Sequence, residues 1–184
     1  MGNAHSRSSR LALLAGLTAA VLLLAPAPAP AEPQQPSKEQ SADATFATSF
    51  IGKNYEDELD IDGWTDLGGG LVAPPIFVRE YQREDGTILV LTSREQSRAS
   101  AAAPASYAVV DALIVPPPQK DVEFTISCVQ GEDETLRFMG EAKGNEEQEW
   151  WTDVRRAWEI SLETGEIASA KTKGVRCTNI SWGQ

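Results

Sequence analysis

Apolar and polar residues follow three regimes along the chain. Leu11–Ala25 is apolar without a single charge. Glu32–Ala44 is rich in Pro, Gln, Ser and charged residues and has no apolar period. Beyond it, apolar residues recur mostly at every second position, the spacing of strands that bury one face. Ala44–Ile51 places Phe46, Thr48 and Phe50 on one side and is expected to be a first strand. Ile76–Gln82 and Thr87–Thr92 flank Arg83-Glu84-Asp85-Gly86, and Asp-Gly between two β-rich runs predicts a hairpin. Ile88-Leu89-Val90-Leu91 is apolar on both faces, as suits a central strand. Ser106–Val115 predicts a strand that stops at Pro116-Pro117-Pro118, since proline has no N–H to give a ladder. In Val122–Val129, alternation puts Val122, Phe124, Ile126 and Cys128 on one face, and Leu136–Met139 is the expected partner. Trp158, Ile160 and Leu162 alternate next. Thr164-Gly165 then turns the chain into Glu166–Ala170, and Val175–Ile180 closes it with Val175, Cys177 and Asn179 on one face.

One segment reads differently. Over 145–157, Trp150 or Trp151, Val154, and Ala157 or Trp158 recur at helical spacing. Asn145 is a candidate cap with Gln148 three residues on; Glu146, Glu147 and Glu149 sit at the positive end, Arg155 and Arg156 at the negative end. Asn54–Gly70, acidic and then glycine-rich, and Arg94–Ala105, rich in Ser and Ala, read as loops. The expected fold is mainly β (α+β): an antiparallel sheet or small half-closed barrel with one short helix near residues 145–157.

The amino end has the three parts of a secretory signal peptide: a head carrying Arg7 and Arg10 without an acid, the apolar run, and a Pro/Ala exit ending Ala29-Pro30-Ala31. The run is shorter than the ~20 residues that span a bilayer. Residues 1–31 are therefore expected to be cleaved after Ala31, leaving a disordered lead-in over 32–44 and one disulfide-linked β-rich domain over 45–184, periplasmic or extracellular. No cysteine stands at the cut for lipid attachment, and Arg7 and Arg10 are not adjacent, so neither a lipoprotein nor a twin-arginine route is indicated.

Loss of Arg7 and Arg10 takes 16 lysines and arginines to 14 against 27 acids, a net charge near −13. Such a surface repels phosphate backbones and anionic headgroups, so neither nucleic acid nor, after cleavage, a membrane is expected as partner. Protein or carbohydrate is. Cys128 and Cys177 meet an oxidising compartment in an exported chain and are expected to pair.

Chemistry is narrowed by one absence. The only histidine, His5, lies in the leader, so the mature chain has no Ser-His-Asp or Cys-His set and lacks the commonest zinc ligand. There is no G-x-S-x-G, no S-x-x-K and no phosphate loop, and no cofactor is implied. Glu58, Asp60, Asp62 and Asp66 carry oxygens near Gly63 in the manner of half a calcium loop, but the closing glutamate is replaced by Gly69. Trp150 and Trp151 are candidate binding residues, because adjacent side chains cannot both face inward and an exposed tryptophan can stack on sugars or anchor an interface. Asn179-Ile180-Ser181 matches a glycosylation sequon. These features favour an exported non-catalytic binding protein. The alternatives are an inhibitor or scavenger of a cationic secreted protein, and a carboxylate-dependent glycan hydrolase.

Overall fold

The computed structural model describes residues 38–56, 58–96, 104–179 and 181–183. The expected leader and residues 97–103 of the Ser/Ala-rich loop lie outside them. The chain begins its described course with a helix, α1 (Lys38–Thr48). This overturns two expectations, since α1 takes in both the end of the supposed lead-in and most of the supposed first strand. Phe46 and Phe50 are four residues apart, a spacing that satisfies a period of 2 and a period of 3.6 alike. Packing decides: Ala47 and Phe50 are buried and join a core under the first sheet. Asp43 of α1 also accepts from Arg83 Nη1 at 3.1 Å.

Five strands form the first sheet: β1 (Asn54–Glu56), β2 (Trp64–Ala73), β3 (Ile76–Arg83), β4 (Ile88–Glu95) and β5 (Ser106–Val115), in the order β1-β5-β4-β3-β2. It is antiparallel and curled into a half-barrel. The expected hairpin joins β3 to β4. Gly86, at φ +85°, donates to Arg83 O at 2.9 Å, and Asp85 Oδ1 accepts from Thr87 N at 2.9 Å. β4 is central and buried on both faces: Ile88 and Val90 point to one core, Leu89 and Leu91 to another. β1 and much of β2 occupy the stretch read as loop. The glycines of β2 hide its strand character from an apolar pattern yet serve it. A Cβ on Gly69 would lie 2.1 Å from Val78 O, so only glycine fits that close crossing.

The second sheet holds β6 (Val122–Gln130), β7 (Asp133–Lys143), β8 (Trp150–Trp151), β9 (Val154–Ile160), β10 (Ile167–Ala170) and β11 (Val175–Thr178), in the order β10-β9-β7-β6-β11-β8. The helix expected over 145–157 is not there. Asn145 Oδ1 accepts from Glu147 N at 3.0 Å and closes a turn, after which Trp150 and Trp151 pair with Thr178 and Cys177, and Val154–Ile160 enters the sheet. A bulge explains the false helical spacing. Glu141 pairs with Arg156 but Ala142 pairs with Val154, so Arg155 is an extra residue. One extra residue lets Val154 and Ala157, three apart, reach the same core. A bulge in β6 corrects a second expectation. Thr125 pairs with Gly140 and Cys128 with Phe138, three residues against two. Phe124 and Ile126 therefore pack between the sheets while Cys128 turns to the opposite face.

Ile76, Val78, Ile88, Val90 and Val115 of the first sheet meet Met139, Trp158 and Ile160 of the second. Burial of each such side chain contributes roughly 1.5–3 kcal/mol. Polar ties fix the same contact. Thr92 Oγ1, fully buried, donates to Gly165 O at 2.6 Å, and Ile167 N donates to Asp111 Oδ2 at 2.8 Å. The disulfide joins Cys128 to Cys177, directly opposite each other on neighbouring strands β6 and β11, so it crosslinks the last strand to an interior one as expected. Gly140 of β7 makes its room: a Cβ there would sit 2.9 Å from Cys177 Sγ.

Candidate functional site

The connection from β5 to β6 positions one wall of a cleft. The prolines Pro116–Pro118 end β5, and Pro116 and Pro117, exposed and fixed in φ, make a stiff wall. Gln119–Asp121 then turns the chain. Val122 N donates to Gln119 O at 3.0 Å, and Asp121 takes a left-handed φ of +63°, a conformation that Asp tolerates better than most residues. Opposite this turn stand the end of β7 and the start of β9. Together they enclose a cleft of about 720 Å³ lined by Pro116, Pro117, Lys120, Glu141, Lys143, Arg155 and Arg156, among others.

The β9 bulge shapes one wall. In a regular strand two consecutive arginines point to opposite faces. With Arg155 as the extra residue, both Arg155 and Arg156 line the cleft. Arg156 is held from behind: its Nε and Nη2 each donate to one carboxylate oxygen of Glu141, a side-on fork. Glu141 is buried at 5% exposure, so the arginine that neutralises it is not replaceable without leaving an unpaired charge inside the protein. Arg155 Nη2 donates to Asp153 at 2.7 Å in an exposed pair. Lys120 and Lys143 are exposed and have no ion-pair partner among the described residues. A basic concentration thus opens on a protein whose overall balance is acidic, which neither composition nor spacing signals, because its residues come from three separated segments.

The residues singled out from the sequence lie elsewhere. Trp151 is 8% exposed, packs against the disulfide core and donates Nε1–H to Asn145 O at 3.0 Å. Trp150 is half-buried on the opposite face of β8, with the Arg176 guanidinium 4.6 Å above its ring. The pair divides into one inward and one peripheral side chain, on a strand instead of a helix. The sequon asparagine is inaccessible. Asn179 is 3% exposed, and its Nδ2 donates to Asn145 O at 3.2 Å and Gln148 O at 2.9 Å. Its amide thus knots the 145–149 turn to the end of β11.

Glu58, Asp60 and Asp66 line a cavity of about 340 Å³ with Trp64 and Tyr81, while Asp62 is exposed just before the turn glycine Gly63. They do not form a cage. Asp66 and Glu58 approach the Arg79 guanidinium at 3.4 and 4.0 Å, and Asp66 Oδ1 accepts from Gly68 N at 2.7 Å. Among the described residues no three acids, cysteines or histidines converge as metal ligands. Burial, and then the Asp66 carboxylate, push the Tyr81 phenol up to about 12, so it stays protonated. Among the described residues the carboxyl raised furthest is Glu80, pushed to about 7 by burial. It follows Ile76 and Val78 on the face of β3 that meets the second sheet, and it is not part of the basic cleft.

No protein-family model, no curated protein and no solved structure matches this chain.

Proposed function

We propose that this protein is an exported, non-catalytic binding module whose ligand seat is the cleft between the β5–β6 connection and the β7–β9 edge. The observation that carries the reading is the bulge-built wall of Arg155 and Arg156, backed by buried Glu141. A bulge and a buried counter-charge are costly devices that position side chains at a surface, and such devices concentrate at binding sites. The cleft's volume is in the range of small-molecule sites. A non-catalytic role is supported by what lines it: no histidine or thiolate is present, and Glu80, the carboxyl raised to about 7 among the described residues, is not part of the lining. The disulfide is compatible with export, and among the described residues no helix is long and apolar enough to cross a membrane.

The test is a ligand screen by amide chemical-shift mapping on isotope-labelled protein purified from its own host. Neutral sugars, short peptides, metal ions and small anions are each titrated. Saturable shifts at Lys120, Val122, Lys143, Arg155 and Arg156 are the expected result. If no compound of any class moves those amides, the seat is elsewhere. Turnover of a glycan panel by the same preparation would replace the binding role with the hydrolase alternative.

A further inference from the structure

We infer that the cleft takes a small soluble polyanion, a molecule bearing two or more phosphate or carboxylate groups; this rests on the cleft being the ligand seat. Three chain segments bring cations to it: Lys120 from the turn, Lys143 from the end of β7, and Arg155 with Arg156 from the bulged start of β9. Segments so far apart in sequence do not converge four positive side chains through local propensity, and the rest of the surface is dominated by acids.

The donors are arranged for anionic oxygens. A guanidinium has five N–H groups in one plane. Glu141 occupies Nε–H and one Nη2–H of Arg156, leaving both Nη1–H groups and the outer Nη2–H. Arg156 is about half exposed, with 47% of its side chain accessible, so this remaining edge is available to solvent and ligand. Glu141 thereby fixes the plane of the fork before any ligand arrives, which lowers the ordering cost of binding. Glu141 and Asp153 offset the charges of the two arginines, so the arginines supply directed hydrogen bonds. The unpaired Lys120 and Lys143 supply net charge, with Asp121 the one carboxylate beside them on the rim.

The size limit follows from the charge outside. A net charge near −13 on the expected mature chain repels an extended polyanion wherever it leaves the cleft. A compact ligand that fits within about 720 Å³ meets the cations without meeting that field. Arg forks and Lys ammonium groups serve phosphate and carboxylate alike, so both chemistries stay within the inference.

The experiment titrates inorganic tripolyphosphate, citrate and orthophosphate into the protein from its own host, reading amide shifts and heat of binding. Tripolyphosphate or citrate is expected to bind with a sub-millimolar dissociation constant, at least tenfold tighter than orthophosphate. Shifts should centre on Lys120, Lys143, Arg155 and Arg156, and affinity should fall when salt is raised about tenfold. Binding of tripolyphosphate alone identifies phosphate as the recognised group, and equal binding of citrate identifies charge number. Lys120→Gln with Lys143→Gln is expected to weaken binding at least tenfold while leaving the thermal midpoint in place, because both side chains are exposed and unpaired. The inference is overturned if tripolyphosphate and citrate at about 10 mM leave these amides unmoved, or if the double variant binds as tightly as the parent. A neutral compound that fills the cleft under the same conditions would keep the binding module and remove only the polyanion.

Discussion

Replacing Glu80 by glutamine removes a charge from the face of β3 that packs on the second sheet while keeping the side chain's shape. Burial raises the Glu80 carboxyl from 4.5 to about 7. The folded state therefore holds a proton that the unfolded chain releases between pH 4.5 and 7. This contribution to stability is fully present below about pH 4.5 and is lost as pH rises through 7. Above that, folding keeps an unpaired carboxylate in a poorly solvated site. Each pKa unit corresponds to about 1.4 kcal/mol, so the full shift is worth up to about 3 kcal/mol; residual exposure brings the expected effect to about 2 kcal/mol. The assay is urea unfolding of parent and Glu80→Gln at intervals from pH 4.5 to 8.5, with the disulfide intact. Both should unfold at similar urea concentrations at pH 4.5, and the variant should be more stable by about 2 kcal/mol at pH 8. Other titrating groups cancel in the difference. Among them are Asp85, held low by Arg83, and Asp133, lowered by hydrogen bonds from Thr135. A difference that stays flat with pH, or a variant that loses stability at pH 8, would refute the placement of Glu80 between the sheets.

Gly140→Ala drives a methyl group to 2.9 Å from Cys177 Sγ and 3.3 Å from both Cys128 Sγ and Arg156 O; a loss of about 1–3 kcal/mol in chemical unfolding is expected. Trp151→Ala empties a buried site beside the disulfide and should cost about 3–5 kcal/mol, whereas Trp150→Ala, peripheral and half-buried, should cost no more than about half as much; denaturant midpoints separate the two. Asn179→Ala takes the side-chain donor from the Gln148 carbonyl and one of the donors from the Asn145 carbonyl, which keeps Trp151 Nε1–H, and should destabilise by about 1–3 kcal/mol. Expressed in a glycosylating host, the parent should carry no glycan at Asn179 by intact mass, because that amide is buried and engaged.

Local pattern made part of this fold legible and misread the rest where bulges or close-packed glycines break the strand period. A short apolar run bounded by turn residues finds a strand, as in β4, and Asp85-Gly86 names the turn because positive φ favours glycine. Where the ladder carries a bulge the period breaks. In β9 the break imitates a helix, and in β6 it sends Cys128 to a face other than that of Phe124 and Ile126. β2 was hidden by glycines that its close crossing with β3 requires.

By itself, the sequence determined a mainly antiparallel β chain, the β3–β4 hairpin, a doubly buried β4 and the pairing of its two cysteines. It also determined that residues 6–184 hold no histidine. These depend on neighbours two to four residues apart or on composition, and such information survives in a linear string. Tertiary structure alone decided that Phe46 belongs to a helix and Phe50 to the turn that follows it, that Trp150 and Trp151 lie on a strand, and that Asn179 is spent on a turn. It alone brought Lys120, Lys143, Arg155 and Arg156 around one cleft. That convergence depends on which strands pair and where one residue is extra, and those choices are made by burial and backbone hydrogen bonding over the whole domain.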